Sequence, residues 1–151
     1  MDEELIKRWN EVVKKGDIVY HLGDFAFDNI QQFRERLKGQ IHLIKGNHDT
    51  SSLKLYKSLF VTVSEIKRVK TFKPHIVLNH YAMRTWKGFH GKTWHLYGHS
   101  HCTLRELDNL SFDVGVDCWN FYPVSYEQVE EKMEKKKEKM EKKRWKRNVK
   151  K

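Results

Sequence analysis

A chain of 151 residues has room for one domain with a real core and little beyond it. Hydrophobic residues make up 38% and aromatic residues 13%, enough burial to exclude a wholly disordered chain but lean enough that part of it must be solvated. The formal charge of +10 is gathered at one end: Glu127–Lys151 holds twelve Lys and Arg against six Glu, and the remainder is only mildly basic.

The opening segment MDEELIKRWNEVV is amphipathic and acidic, unlike a signal peptide, and no apolar run approaches the ~20 residues of a membrane span. A cytoplasmic protein with no membrane contact is expected. Leu5, Ile6, Trp9, Val12 and Val13 recur at spacings of three and four, which predicts a first helix that stops at Gly16. Ile18–Leu22 reads as a short strand, 29–37 as a helix with Ile30, Phe33 and Leu37 on one stripe, and 41–44 as a second strand. A short helix at 53–59 follows. The β-rich stretches 61–69, 75–79, 93–97 and 111–116 then come without long helices between them. From Ser125, a plausible N-cap with Gln128 three residues on, a helix is predicted with Val129, Met133 and Met140 as a thin apolar stripe among Lys and Glu. Cys102 and Cys118 follow no C-x-x-C or zinc-finger spacing, so two reduced thiols are expected.

Polar residues suited to metal binding follow the predicted strands, at the strand ends where open α/β sheets bind ligands. Gly23-Asp24 comes after the first strand, Gly46-Asn47-His48-Asp49 after the second, Asn79-His80 after 75–79, and Gly98-His99-Ser100-His101 after 93–97. In this order these motifs resemble the calcineurin-like metallophosphoesterase superfamily, and VYHLGDFAF, HLYGHSH and VGVDCWN look like its small bacterial or phage branch. The resemblance runs from Met1 to about Val129. It implies a layered α/β/β/α sandwich in residues 1–126, followed by a basic, Lys/Glu-rich helical tail over 127–151.

The resemblance also implies roles. Asp24 would bridge two metal ions, Asn47, His80 and His99 would complete one of them, and His101 would point to the other. His48 would donate a proton to the leaving group, with Asp49 holding its ring in orientation. The implied reaction is hydrolysis of a phosphomonoester or phosphodiester by metal-activated water. Mixed O and N ligands suit manganese first, with iron, zinc or nickel as alternatives. Gly23, Gly46 and Gly98 would serve tight turns.

The family's Asp-x-His motif after a first strand occurs nowhere in the sequence, so the sandwich is expected to lack that strand. One metal position is then nearly complete, and the other keeps only Asp24 and His101. An exposed sheet edge and self-association are expected consequences. The alternative to an active phosphoesterase is a mononuclear metal-binding remnant or a nucleic-acid-interacting module. The Lys and Arg clusters at 135–137, 142–144 and 146–147 could meet nucleic-acid phosphates, but a solvated helix is the favoured reading. His21, His42, His75, His90 and His95 match no ligand motif and are expected to be structural or surface residues. Arg84 could reach a substrate phosphate through its forked guanidinium, with a surface arginine the equal alternative, and Cys102 is expected to be a spectator thiol.

Overall fold

The computed structural model describes residues 2–149; Met1 and the last two residues of the expected tail helix lie outside it. Helix α1 (Asp2–Val12) begins with Asp2, Glu3 and Glu4, carboxylates that favour a helix N-terminus. Ile6, Trp9 and Val13 turn inward and are buried, whereas Val12 is 48% exposed, so the apolar face is narrower than its spacing predicts. Strand β1 (Ile18–His21), helix α2 (Ile30–Arg36), β2 (Gln40–Ile44) and α3 (Leu53–Leu59) follow. The predicted β-rich stretch 61–69 contains two strands in different sheets, β3 (Thr62–Ser64) and β4 (Ile66–Val69). The chain changes sheets at Glu65, whose carbonyl accepts a 3.0 Å bond from the Asn79 amide.

The first sheet is parallel, in the order β1-β2-β3. The second contains β4, β5 (His75–Asn79), β6 (Thr93–Tyr97) and β7 (Ser111–Asp113) in that order, with only the β4–β5 pair antiparallel. Strand alternation sorts the core into two layers. Ile41 and Leu43 face Trp9, Ile30 and Tyr56 from the three helices, together with Val13 and Phe60 just past the ends of α1 and α3. Ile44, on the other face of β2, joins Ile76, Leu78, Trp94, Leu96 and Phe112 from the second sheet. The result is a mixed α/β sandwich with a C-terminal helix. β1 pairs on one side only, and Ile18 on that edge is 61% exposed.

The tail helix α4 (Tyr126–Val149) opens with the predicted capping box: the Ser125 N–H donates to Gln128 Oε1 at 2.9 Å and the Gln128 N–H to Ser125 Oγ at 3.3 Å. Its first turns are not solvated all round. Val129 and Met133 are buried in the inter-sheet core, and Met140 packs against it. Lys132 and Lys136 reach Glu106 at 2.9 Å, and Lys143 reaches Asp108 at 2.6 Å. These pairs lie at the surface, with Lys136 the most covered of their side chains, and the exposed Lys143–Asp108 pair is worth about 0–1 kcal/mol. They do turn three of the tail's cations toward an acidic loop of the same chain. Among the described residues, no helix is long and apolar enough to cross a membrane.

Candidate metal centre

Because β1 runs parallel to β2, and β5 parallel to β6, the loops bearing Asp24, Asn47, His80 and His99 all leave C-terminal strand ends. They converge. His80 Nε2 lies 3.0 Å from Asn47 Oδ1, 3.0 Å from His99 Nδ1 and 3.4 Å from Asp24 Oδ2. His80 is buried, Asp24 half-buried and His99 exposed, so the cluster opens on the His99 side. The orientation of His80 is fixed from behind. Its Nδ1 lies 2.6 Å from the Leu22 carbonyl oxygen, which can only accept, so Nδ1 carries the proton and the Nε2 lone pair faces the cluster. That is the arrangement of a metal-ligating imidazole with its second nitrogen bonded to a carbonyl.

Two glycines make the cluster possible. Gly23 has φ +96°, and a Cβ there would strike the Gly46 backbone and His80 Nδ1. A Cβ on Gly46 would strike the Asp24 carboxylate. At Gly98 the expectation fails: a side chain would meet Leu22 at ordinary contact distances, 3.7 to 3.8 Å. Asp24 itself sits at φ +53°, a left-handed conformation that a non-glycine residue holds only where its surroundings fix it.

Asp49 supplies that fixing. Its Oδ2 accepts from the N–H groups of Asp24 and Gly46, both at 2.8 Å, and its Oδ1 from Phe25 N–H at 3.0 Å. The expectation that Asp49 holds the His48 ring is therefore corrected: its carboxylate is buried and pins the two ligand loops together instead. His48 is exposed, and its backbone N–H donates to Asp24 Oδ1 at 2.9 Å. Beside the His48 ring stands Phe27, 5.1 Å between centroids and 77% exposed.

His101 is not part of the convergent cluster. Its Nδ1 lies 2.6 Å from Asp117 Oδ2. Asp117 and Asp113 escape sequence reasoning because no spacing rule links them to the Gly-His-Ser-His loop. Buried Asp113 accepts from Ser100 Oγ at 2.6 Å and from Cys102 N–H at 3.3 Å. A second correction concerns the cysteines: Cys102 and Cys118 form a disulfide, their Cα atoms 5.6 Å apart. Sequence spacing is silent on pairing, whereas the fold brings the two backbones within bridging distance.

Of the histidines set aside, His95 is buried. Its Nδ1 bonds the Val77 carbonyl oxygen at 3.0 Å and its Nε2 accepts from Met83 N–H at 3.1 Å. His21 has a buried Nδ1 with no hydrogen-bond partner among the described residues. Burial pushes its pKa from the ordinary 6.5 down to about 4, against the pull of the Asp49 and Asp24 charges. Because the unfolded chain takes up that proton first, this contribution to stability is complete above pH 6.5 and is lost as pH falls toward 4. Urea unfolding at pH 7 and pH 4 is expected to show a loss of about 2–3 kcal/mol that a His21→Phe chain lacks. His42 and His95 are pushed in the same direction by burial and remain in both chains, so the difference isolates His21.

A family model, the calcineurin-like phosphoesterase superfamily domain, matches residues 2–136. The chain belongs to that superfamily of metal-dependent phosphoesterases. An uncharacterised protein of Methanocaldococcus jannaschii is 32% identical over 148 residues, covering 89% of this chain and 76% of that protein. In the crystal structure of a protein of unknown function from Aquifex aeolicus the fold is shared: TM-score 0.66 and 20% identity, with 86% of this chain and 83% of that one covered.

Proposed function

We propose that the chain hydrolyses phosphomonoesters or phosphodiesters, with one divalent cation, manganese by preference, held by Asp24, Asn47, His80 and His99. The observation that carries this reading is the set of metal-binding atom types, Asn47 Oδ1, His99 Nδ1 and Asp24 Oδ2, gathered around His80 Nε2 within 3.0 to 3.4 Å. Leu22 takes the Nδ1 proton of His80, which turns Nε2 toward Asn47, His99 and Asp24, groups that one shared cation would satisfy together. The donor set of one carboxylate, one amide oxygen and two imidazoles fits a borderline divalent metal. When bound, such an ion supplies positive charge to a phosphoryl group and acidity to a water.

The chain's own residues do the rest. Asp49 keeps the Asp24 and Gly46 loops in register, so the ligand atoms are preorganised before substrate arrives. His48 stands exposed at the rim, where its imidazole is free to give a proton to a departing alcohol oxygen. Phe27 beside it offers that alcohol an apolar neighbour.

The test is turnover with added manganese of two diesters, one with a nitrophenol and one with an alkyl alcohol as leaving group. A His48→Gln chain is expected to lose about 10²–10⁴-fold on the alkyl ester and less on the nitrophenyl ester, whose leaving group departs without a proton. Equal rates for the wild-type and His48→Gln chains on the alkyl ester would remove His48 from the mechanism.

A further inference from the structure

The outer half of α4 carries more positive charge than the chain's own acids neutralise. Residues 135–147 hold nine Lys and Arg against two Glu. Lys135 and Lys137 pair with Glu131 and Glu134 of the same helix, and Lys136 and Lys143 with Glu106 and Asp108 of the acidic loop. Lys139, Lys142, Arg144, Lys146 and Arg147 are exposed and form no ion pair among the described residues. From Lys139 onward the helix also lies past residues 2–136, the part shared with the superfamily.

These cations are ordered along the helix. Lys135, Lys139, Lys142 and Lys146 follow at intervals of four, three and four residues, so they fall on one face in a row about 16 Å long at 1.5 Å per residue. All four line one shallow groove, with Glu138 the single acid among them. Like charges at this spacing destabilise a helix, so the row works against the fold that carries it. Beside it stands Trp145, 66% exposed, three positions from Lys142 and one from Lys146, with Glu141 one turn behind. An indole left in water contributes nothing to the core, but its π-face can stack on any nucleobase.

The fold also says which polyanion this surface suits. A helix that lies on a membrane needs a free apolar face. In α4 that face is already used: Val129 and Met133 are buried in the core and Met140 packs against it. Trp145 and Val149 are the large apolar side chains that α4 leaves outside. The same packing anchors the near half of the helix, and the Lys143–Asp108 pair holds it further out.

We propose that the outer half of α4 binds single-stranded nucleic acid, the lysine row meeting the phosphates and Trp145 stacking on a base. The surface is separate from the metal centre, and the proposal does not depend on the chain's activity. DNA and RNA present the same phosphates and base faces, so both enter the test.

The experiment is fluorescence anisotropy of short end-labelled oligothymidylate and oligouridylate with the full chain, in EDTA so that no hydrolysis occurs. Four phosphate contacts on a single strand predict a slope of log affinity against log salt of about −3, a loss of roughly 50-fold between 50 and 200 mM salt. A chain with Lys139→Gln, Lys142→Gln and Lys146→Gln is expected to flatten that slope to about −1. Trp145→Ala is expected to weaken binding about 5–150-fold, with Trp145→Phe restoring part of it. On an abasic oligomer of the same length Trp145→Ala is expected to change nothing, because no base is there to stack. Circular dichroism checks that the exposed replacements leave α4 folded, and their turnover of the nitrophenyl diester is expected to match wild type, so binding and catalysis are read apart. Either oligomer behaving in this way supports the proposal, and the tighter of the two names the partner as DNA or RNA. No binding of either oligomer at 50 mM salt, a slope unchanged by the triple replacement, or an equal loss from Trp145→Ala on base-bearing and abasic oligomers would each overturn it. Capture of the chain on phosphatidylserine vesicles under conditions where neither oligomer binds would make the partner a membrane and overturn it as well.

Discussion

Replacing Asp49 with alanine is expected to destabilise the protein by about 3–5 kcal/mol, although this residue is expected to touch neither metal nor substrate. Its buried carboxylate accepts three backbone N–H groups, from Asp24, Phe25 and Gly46. Without it these donors lose their acceptor, and each orphaned donor costs about 1–3 kcal/mol. The loss does not stop at stability, because Asp24 is held at φ +53° by the same bonds. Asp49→Asn is expected to fare little better: whichever way the amide turns, its NH₂ meets at least one N–H donor. Urea unfolding checks the stability, and manganese titration checks the site. A change below about 1 kcal/mol would show that the loops hold themselves in register.

His80→Ala is expected to lower manganese affinity by more than about 100-fold, since losing a ligand exceeds the 10–100-fold cost of losing a ligand's supporting bond. His80 Nε2 is the atom that Asn47 Oδ1, His99 Nδ1 and Asp24 Oδ2 surround. The fold should survive. His80 sits at a strand end, and the β5 core residues Ile76 and Leu78 are untouched. Calorimetric titration with manganese reads the affinity, and circular dichroism reads the fold. An affinity within about tenfold of wild type would mean that the ion sits elsewhere.

What the sequence discloses about this site follows from where each residue sits. Asp24, Asn47, His80 and His99 stand immediately after strands whose apolar runs are plain, so their convergence at one end of the two sheets is legible. The residues that hold those side chains in place are not, because their partners are distant along the chain. Asp117 meets a histidine 16 positions away, and Asp113 ties a loop 11 to 13 positions away. Asp49 was legible as a site residue but not in its task, since adjacency to His48 says nothing about which N–H groups its oxygens face. The disulfide stayed hidden for the same reason. The split of 61–69 between two sheets was also invisible, because a change of sheet at a single residue leaves the β-rich composition unbroken. In α4 the sequence shows Val129 and Met133 as an apolar stripe, but only the packing shows them buried in one cluster with Ile44, Trp94 and Phe112.

Four strand-end side chains are proposed to form one firm cation site. Its most direct test is metal content after the wild-type and His80→Ala chains are saturated with manganese and dialysed exhaustively against metal-free buffer. One manganese per wild-type chain and none in the variant is the expected result. A wild-type chain that emerges bare, or a variant that retains as much manganese as the wild type, would contradict it.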